Sequence, residues 1–416
     1  MQVKVPTKFS IKITINSALN NVYIFAIGLY IFAATITGAN FTAAGRLSNF
    51  ANILFNYIAY YLLMGVSIIN VIFNTKWSRN KLYYTLIAGL LTFLMCVMGN
   101  NSLLLPFFVI LGYPQDLELQ QLAKAVFWVQ VITVIIVIVG CLNGIFGDYA
   151  FIQHNVLRHS WGFTSPNTLG NYIAIILGEY VLIYWNKWSF AKAVAWFFIL
   201  LVMWNYQNSR AAFYYGILII LLTILFKTGF IKANLANLLM WLPIILFTIG
   251  ATVTIYAMIR FSKSQDNTYN FFNALFSGRL SFMTKFYNMY GLSWFGHTIQ
   301  TVSLATARAS NGFVSWMGLD SSYAYIAIND GIFGIIAYWL IFFFANLKVT
   351  KDKNWGGAMF LLLMVLMGLS ENYIRLINIT FVFFVFASYI ANAKIQSLDI
   401  KAQSAHEHKY IAESIL

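Results

Sequence analysis

Uninterrupted apolar stretches of about 20 residues recur along this chain, and they constrain its fold more than any other feature. Residues 51–73, 123–145 and 238–257 are examples. At about 1.5 Å of rise per residue, a helix of this length crosses the roughly 30 Å hydrocarbon core of a bilayer. These stretches exceed the strand length of a membrane barrel, and a helix satisfies its own backbone hydrogen bonds in lipid. The sequence therefore predicts an all-α polytopic membrane protein.

The composition excludes a water-soluble protein. Of 416 residues, 60% are hydrophobic and only 9% are charged. The net charge of +14 is spread over short loops instead of one basic domain, so nucleic acid is not expected as a partner. Cys96 and Cys141 lie inside apolar stretches, and their spacing supports neither a disulfide framework nor a metal site.

We predict twelve transmembrane helices, of which the fourth is short. Their approximate bounds are 22–39, 51–73, 82–99, 103–114, 124–145, 167–185, 193–207, 211–226, 238–258, 321–346, 356–370 and 376–393. The first follows Lys4, Lys8 and Lys12 but exceeds the apolar core of a secretory signal, so we interpret it as a retained span.

The distribution of lysine predicts the orientation. With the N-terminus in the cytoplasm, most lysines fall in inside loops, as the positive-inside rule requires. Omitting the fourth span would move the lysine-rich loops at 187–192 and 348–353 to the outside, which favours keeping it. Both termini are then cytoplasmic, with residues 394–416 as a tail.

Arginine has the opposite distribution. Only Arg79 is predicted inside, whereas the outside holds Arg46, Arg158, Arg210, Arg260, Arg279, Arg308 and Arg375. A planar guanidinium can grip phosphate or carboxylate with two hydrogen bonds, which lysine cannot do. The outer face is therefore predicted to handle an anion. The alternative, that individual arginines only extend towards the membrane interface, stays open.

One external loop, residues 259–320, separates nine helices in residues 1–258 from three in residues 321–393. Loops of this length are often functional. Apolar residues recur at helical spacing in 267–291, with Gly278 interrupting, so we expect an interfacial helix or helix pair on the outer leaflet.

Two acidic residues, ten positions apart, lie at the beginning of the tenth span and within it. Asp320 is predicted at the outer mouth, where it could cap the helix and still accept a proton. In a continuous helix Asp330 would lie about 15 Å deeper, near mid-bilayer, where a carboxylate needs a partner. Glu179 in the sixth span is placed similarly. For both buried acids a structural lock and a transport role remain open. Pro166-Asn167 is expected to start the sixth helix.

Four outward motifs follow one another in the order "GFTSPNTLG" (162–170), "NSRAA" (208–212), "SGRLSF" (277–282) and "LDSSYAYIAINDGIFG" (319–334). With twelve spans and one large external loop before the tenth, this order resembles the bacterial Wzy-type polysaccharide polymerases, which are related to the O-antigen ligases. The resemblance covers most of the chain. It implies a fold similar to lipid-linked sugar transferases of the GT-C type.

The resemblance implies a metal-independent glycosyltransferase without a cofactor, in the bacterial cytoplasmic membrane and active on its external face. It would join repeat units of an O-antigen, capsule or exopolysaccharide that are carried on undecaprenyl diphosphate. The glycan donor and acceptor, the lipid bilayer and a chain-length-regulating co-polymerase are the expected partners. Arg210 and Arg279 match family-like arginines and would hold the donor diphosphate. Fixed guanidinium groups also suit the charge that develops on a departing diphosphate.

The ligases carry a His-Asn pair where this chain has Asp320-Ser321, so their histidine base does not transfer. We predict Asp320 as the general base and His297 as the reserve. The predicted catalytic residues are Asp320, Arg279 and Arg210, and the predicted substrate-binding residues are Arg158, Asn167, Arg308, His297 and Tyr323. Two alternatives remain: a ligase that delivers glycan to another acceptor, and a flippase or transporter of lipid-linked oligosaccharide.

Overall fold

The computed structural model of the chain describes residues 8–42, 45–73, 79–98, 100–153, 155–230, 233–276, 278–302 and 317–391. These residues form a bundle of helices with one short β-hairpin. In the first half, the elements are α1 (Lys8–Thr37), α2 (Arg46–Phe73), α3 (Arg79–Val97), α4 (Leu104–Leu111), α5 (Leu119–Leu142), β1 (Ala150–Gln153), β2 (Val156–His159) and α6 (Pro166–Tyr184).

In the second half, they are α7 (Phe190–Gln207), α8 (Arg210–Lys227), α9 (Ala233–Leu239), α10 (Leu242–Lys263), α11 (Asn267–Leu275), α12 (Arg279–Tyr290), α13 (Ser322–Tyr325, continued by a π-helical turn at Ile326–Asp330), α14 (Gly331–Lys351), α15 (Trp355–Ser370) and α16 (Val382–Ala391).

Eight helical segments among the described residues are long and apolar enough to cross a membrane. They are α1, α2, α5, α6, α7, α8, α10 and the stretch Ser322–Lys351. Shorter apolar helices occupy Thr85–Val97, Trp355–Ser370 and Val382–Ala391, where three further spans are predicted. The prediction of an α-helical multi-pass membrane protein is confirmed.

The fourth predicted span is only partly helical. α4 has 8 residues, about 12 Å of rise, and is too short to cross a bilayer by itself. Irregular residues flank it, and many of them are buried. Asn100 contacts Asp330 beside one end of α14, whereas Gln120 contacts the Ile183 carbonyl near the far end of α6. Residues 100–118 thus connect the two ends of the bundle with a short helix and buried loops.

α6 and α15 form the centre of the bundle. α15 is buried along most of its length and packs against α6, α8 and α10. Glu179 in α6 is only 1% exposed. By contrast, α7 leaves many large apolar side chains exposed, as a helix that faces lipid does.

The tenth predicted span is broken. Gly331, between α13 and α14, has φ +75°, a conformation that favours glycine. The backbone groups released by the break pair with the external loop: Ile332 N–H donates to Ser293 O at 3.0 Å and His297 N–H to Ile328 O at 3.0 Å. Non-helical backbone in a membrane bundle is tolerated where protein buries it or where it lines a water-filled cavity, and here the external loop covers it.

The break changes the setting predicted for Asp330, which the sequence pattern places within one continuous helix. α14 alone has 21 residues, about 31 Å of rise, which matches a hydrocarbon core. Asp330 therefore lies at the end of a membrane-length helix instead of half-way down one. It is fully buried and accepts hydrogen bonds from Ser102 Oγ at 2.8 Å and Asn329 Nδ2 at 2.6 Å. These contacts join loop 100–102 to the helix break through one oxygen of Asp330, as the structural-lock interpretation expects.

The helix pair predicted for the large loop is present as α11 and α12, with Gly278 between them. α10 continues to Lys263, so the loop begins a turn later than predicted. The last predicted span also starts later, because 371–381 is irregular and largely buried before α16 begins. Arg308 and the tail 394–416 lie outside the described residues.

Candidate functional site

One end of the bundle brings together the start of α6, the end of α7 and the start of α8. A Cβ placed on Gly170 in α6 would lie only 2.5 Å from Ser209 Cβ, so only glycine permits this approach. Ser165 caps α6 by accepting the Asn167 N–H at 3.3 Å, which confirms that Pro166-Asn167 starts a helix. Asn167 and Arg210 consequently lie at the same end, which we call the site end.

The hairpin places Arg158 among these helix ends. Arg158 lies on β2 opposite Phe151 and is 7% exposed. Its Nε donates to the Gln207 carbonyl at 2.7 Å and its Nη2 to Asn167 Oδ1 at 2.5 Å. Asn167 thus fixes the orientation of Arg158.

Arg279, the first residue of α12, lies between two carboxylates. Its Nη2 donates to Glu371 Oε1 at 3.2 Å, and its Nε lies 3.5 Å from Asp320 Oδ2. The same Nε donates to the Ser370 carbonyl at 3.0 Å. The side chain remains 18% exposed, and a guanidinium has five N–H groups, so these contacts do not use all of its donors.

Asp320 does not cap α13. The cap is Ser321, whose Oγ accepts the Ala324 N–H at 3.5 Å. Asp320 lies one residue earlier, and its carboxylate turns to Arg279 instead. With a side chain 35% exposed, Asp320 is the more accessible of the two acids, since Glu371 is 10% exposed.

Ser322 holds Glu371 in place. Its Oγ donates to the Glu371 carbonyl at 2.6 Å and its backbone N–H to the same oxygen at 3.2 Å. The Ile374 N–H in turn donates to Ser322 Oγ at 3.2 Å. The start of α13 is therefore fastened to the segment that follows α15, which sets the spacing of Asp320 and Glu371 on either side of Arg279.

Burial, followed by the negative charge of Asp320, raises the pKa of Glu371 to about 8, even though Arg279 and Asn171 lower it. Burial also raises the pKa of Asp320, and Arg279 opposes this change. The two carboxylates share one guanidinium, so one of them retains a proton more readily than an isolated acid would. At neutral pH Glu371 is mostly protonated, whereas the more exposed Asp320 is the better candidate for the ionised partner.

Three guanidinium groups act on one another at the site end. Burial, followed by the charges of Arg210 and Arg279, lowers the pKa of Arg158, while Glu371 raises it. Arg210 is exposed at the start of α8. One ionised carboxylate cannot neutralise three arginines, so the cluster attracts an anion that carries more than one negative charge.

The structure does not bring every predicted site residue to this cluster. The His297 ring lies beside Tyr290, at the end of α12 opposite Arg279 and about 17 Å along the helix axis from it. Tyr323 is fully buried, and its hydroxyl donates to the Val365 carbonyl at 2.9 Å. These contacts give Tyr323 a packing role.

Glu371 is the site residue that the sequence did not reveal. Its only signal is an acidic residue directly after an apolar span, and nothing in the sequence links it to Arg279, 92 positions earlier. Among the described residues, no group of three or more His, Cys, Asp or Glu side chains could hold a metal ion.

No protein-family model, no curated protein and no solved structure matches this chain. A functional assignment therefore depends on the chemistry of the arginine cluster and on the motifs that form it.

Proposed function

We propose that this protein polymerises undecaprenyl-diphosphate-linked oligosaccharide repeat units by glycosyl transfer at the outer face of the bacterial cytoplasmic membrane. The observation that carries the proposal is the cluster at the site end of a membrane bundle: Arg279 between Asp320 and Glu371, with Arg158 and Arg210 in electrostatic range. Arg210, Arg279 and Asp320 come from motifs that resemble those of the Wzy-type polymerases, whereas Arg158 and Glu371 lie outside these motifs.

The donor diphosphate fits the arginine cluster. In the transfer, the bond between the anomeric carbon of the sugar and the diphosphate oxygen breaks, and the electron pair leaves with the diphosphate. Arg279 and Arg210 would stabilise the charge that develops there, and Arg158 would add a buried positive charge. Protonation of Glu371 favours this binding, because a second ionised carboxylate would repel the anion.

Asp320 is the proposed general base. The acceptor sugar hydroxyl would give its proton to the carboxylate as its oxygen bonds to the anomeric carbon. A diphosphate that takes hydrogen bonds from Arg279 weakens the hold of this arginine on Asp320. Donor binding would thereby increase the basicity of Asp320 when the acceptor needs it.

The proposed orientation places the site end outside the cell. Arg158, Arg210 and Arg279 lie at that end, whereas Lys227 packs over Trp185 and Lys348 pairs with Asp352 at the opposite end. Lysine-rich loops favour the cytoplasm. The proposed topology has twelve membrane crossings and both termini inside. Residues 100–118, with their short helix and loops, must then form one of these crossings.

Transport of a lipid-linked oligosaccharide is the second candidate, and the broken helix at Gly331 favours it. Discontinuous helices beside a buried acid are frequent in transporters. In this chain, however, residues 293–299 of the external loop cover the break, and Asn100, Ser102 and Asn329 occupy one oxygen of Asp330. The contacts at the break suit a structural joint better than a substrate pathway.

Cells that lack the protein separate the two candidates. Loss of a polymerase should leave single repeat units on undecaprenyl diphosphate at the outer face, where an impermeant glycosidase or lectin reaches them. Loss of a flippase should leave them inside. Purified protein in liposomes with the accumulated glycolipid should then form polymer without any nucleotide sugar. Units trapped inside, together with no polymer in vitro, would exclude the proposed function.

A further inference from the structure

A second group of side chains lies beside the arginine cluster and has no role in the mechanism above. We call it the aromatic shelf: His159, Trp161 and Tyr206, with Asp148 in contact with the first two. The rings of Trp161 and Tyr206 lie 5.7 Å apart at 90°, and the His159 ring lies 6.4 Å from Trp161. Tyr206 is 51% exposed and the His159 side chain 31%. The shelf is therefore open to a ligand.

Asp148 builds the shelf. Its Oδ1 accepts the backbone N–H groups of Ser160 and Trp161, both at 2.9 Å, and its Oδ2 lies 2.5 Å from His159 Nδ1. Trp161 has φ +48°, a conformation that a tryptophan rarely adopts. Asp148 thus holds Trp161 in a strained backbone conformation, and such strain is frequently found at ligand sites.

The contact with Asp148 also favours one tautomer of the His159 imidazole. A carboxylate beside Nδ1 favours the tautomer with the proton there, which leaves Nε2 as a hydrogen-bond acceptor. The shelf therefore combines flat apolar ring faces, a phenol and an imidazole acceptor within one small surface.

The shelf and the arginine cluster share their supports. His159 follows Arg158 on β2, and Tyr206 precedes Gln207, whose carbonyl accepts the Arg158 Nε. Since successive side chains of a strand point to opposite faces, Arg158 faces the helix ends while His159 faces the shelf. A ligand whose phosphate groups contact the arginines would carry its next chemical group past the shelf.

We propose that the aromatic shelf binds a pyranose ring of the lipid-linked glycan, next to the arginine cluster. This proposal rests on the proposed function, because it takes the glycan to be the group attached to the diphosphate. A pyranose has a face of C–H groups, which packs against the Trp161 and Tyr206 rings, and a rim of hydroxyls, one of which donates to His159 Nε2.

The alternative is that these aromatics only anchor the protein at the membrane surface, where Trp and Tyr are frequent. Tyr214 on α8 illustrates that arrangement. It is 59% exposed and packs on Trp204 and Phe213, with no ion pair or hydrogen bond among the described residues. Tyr214 is consequently a matched control for the shelf.

The test measures binding of three probes to the purified protein in detergent. They are undecaprenyl diphosphate without sugar, the glycolipid that accumulates in cells lacking the protein, and the free oligosaccharide released from the surface polymer. Trp161→Ala should weaken glycolipid binding about tenfold and abolish binding of the free oligosaccharide, with undecaprenyl diphosphate unaffected. Tyr206→Ala should act in the same direction, and Tyr214→Ala should change none of the three.

Each outcome decides the proposal. If the free oligosaccharide binds and Trp161→Ala abolishes this binding, the shelf proposal is supported. A wild-type protein that fails to bind undecaprenyl diphosphate would contradict only the proposed function. Diphosphate binding with no binding of the oligosaccharide, or equal losses for all probes in Trp161→Ala and Tyr214→Ala, overturns the shelf. A His159→Gln variant that retains an acceptor should keep more oligosaccharide affinity than His159→Ala.

Discussion

Arg279 Nη2 donates to Glu371 Oε1 at 3.2 Å, joining the start of α12 to the segment that follows α15 across 92 positions of sequence. The same guanidinium lies 3.5 Å from Asp320 Oδ2. A single arginine therefore connects the large loop, the beginning of α13 and the end of α15. Any ligand that competes for Arg279 acts on both carboxylates at once.

Arg279→Ala should lower the polymerisation rate about 10²- to 10³-fold, the usual effect of removing one donor that stabilises developing negative charge. Arg279→Lys should recover only part of this loss, because lysine keeps the charge but not the fork. The assay is polymer formation from purified glycolipid in liposomes. Arg260→Ala is the control. Arg260 is exposed, and its Nη2 lies 3.2 Å from Asp266 Oδ2, so it pairs with an acid other than Asp320 and Glu371. Rates within twofold of wild type for Arg279→Ala would remove Arg279 from the site.

The raised pKa of Glu371 should make the stability of the folded protein depend on pH. Its pKa is about 8 in the folded protein against 4.5 as the reference for the unfolded chain. Between these values the folded state binds more protons than the unfolded state, so stability is greatest at low pH and falls as pH rises to about 8. Thermal unfolding in detergent, followed by tryptophan fluorescence from pH 5 to pH 9, should show this fall.

The matched variant for this measurement is Glu371→Gln, which cannot ionise. Its unfolding temperature should change less with pH than that of the wild-type protein. Asp320 contributes in the same direction, because burial raises its pKa too, so the slope should be smaller in Glu371→Gln and smaller again in the double variant Glu371→Gln/Asp320→Asn. Parallel profiles for all three proteins would contradict a raised pKa at Glu371.

Variants of the neighbouring residues Asp320 and Ser321 should have different effects, one on catalysis and the other on helix capping. Asp320→Asn removes the proposed base and should reduce turnover about 10²- to 10⁴-fold with little change in unfolding temperature. Ser321→Ala removes the cap of α13 and should destabilise the protein by about 1 kcal/mol while polymer still forms. The comparison uses polymer yield and thermal unfolding on the same preparations. The reverse pattern, an active Asp320→Asn and an inactive Ser321→Ala, would show that the base lies elsewhere.

Where the external loop crosses the helix break, Gly296 and Gly331 should not tolerate replacement by a residue with a side chain. A Cβ on Gly296 would lie 1.9 Å from the Asn329 carbonyl oxygen, and one on Gly331 would lie 2.3 Å from Gly296 N. Gly296→Ala should therefore lower the yield of folded protein and its unfolding temperature markedly.

Gly291 provides the control for this effect. It has the same kind of positive φ, +72°, but open space where a Cβ would stand. Gly291→Ala should lose only the free energy of its strained backbone conformation, about 1 to 3 kcal/mol. Equal losses in the two variants would mean that backbone strain alone, and not the close crossing, explains the glycine at 296.

Much of the architecture follows from local pattern. Apolar length identifies the long helices, since lipid leaves a helix as the way to satisfy the backbone. The Ser-Pro-Asn turn before α6 and the glycine between α11 and α12 are likewise local, so both were predictable. The β-hairpin was not, because its four-residue strands carry little periodicity and their stability comes from packing Arg158 against helix ends.

The sequence by itself determined a helical membrane protein with arginines and lysines in different loops, and it singled out Arg279 and Asp320. Only the tertiary structure decided that Glu371 joins them, that Ser321 takes the cap, that His297 and Tyr323 lie away from the cluster, and that the helix breaks at Gly331. The physical reason is the sequence separation over which each interaction acts. Apolar length and capping act over a few residues, whereas the partners of a buried charge and the cover of a helix break come from segments far apart in the chain.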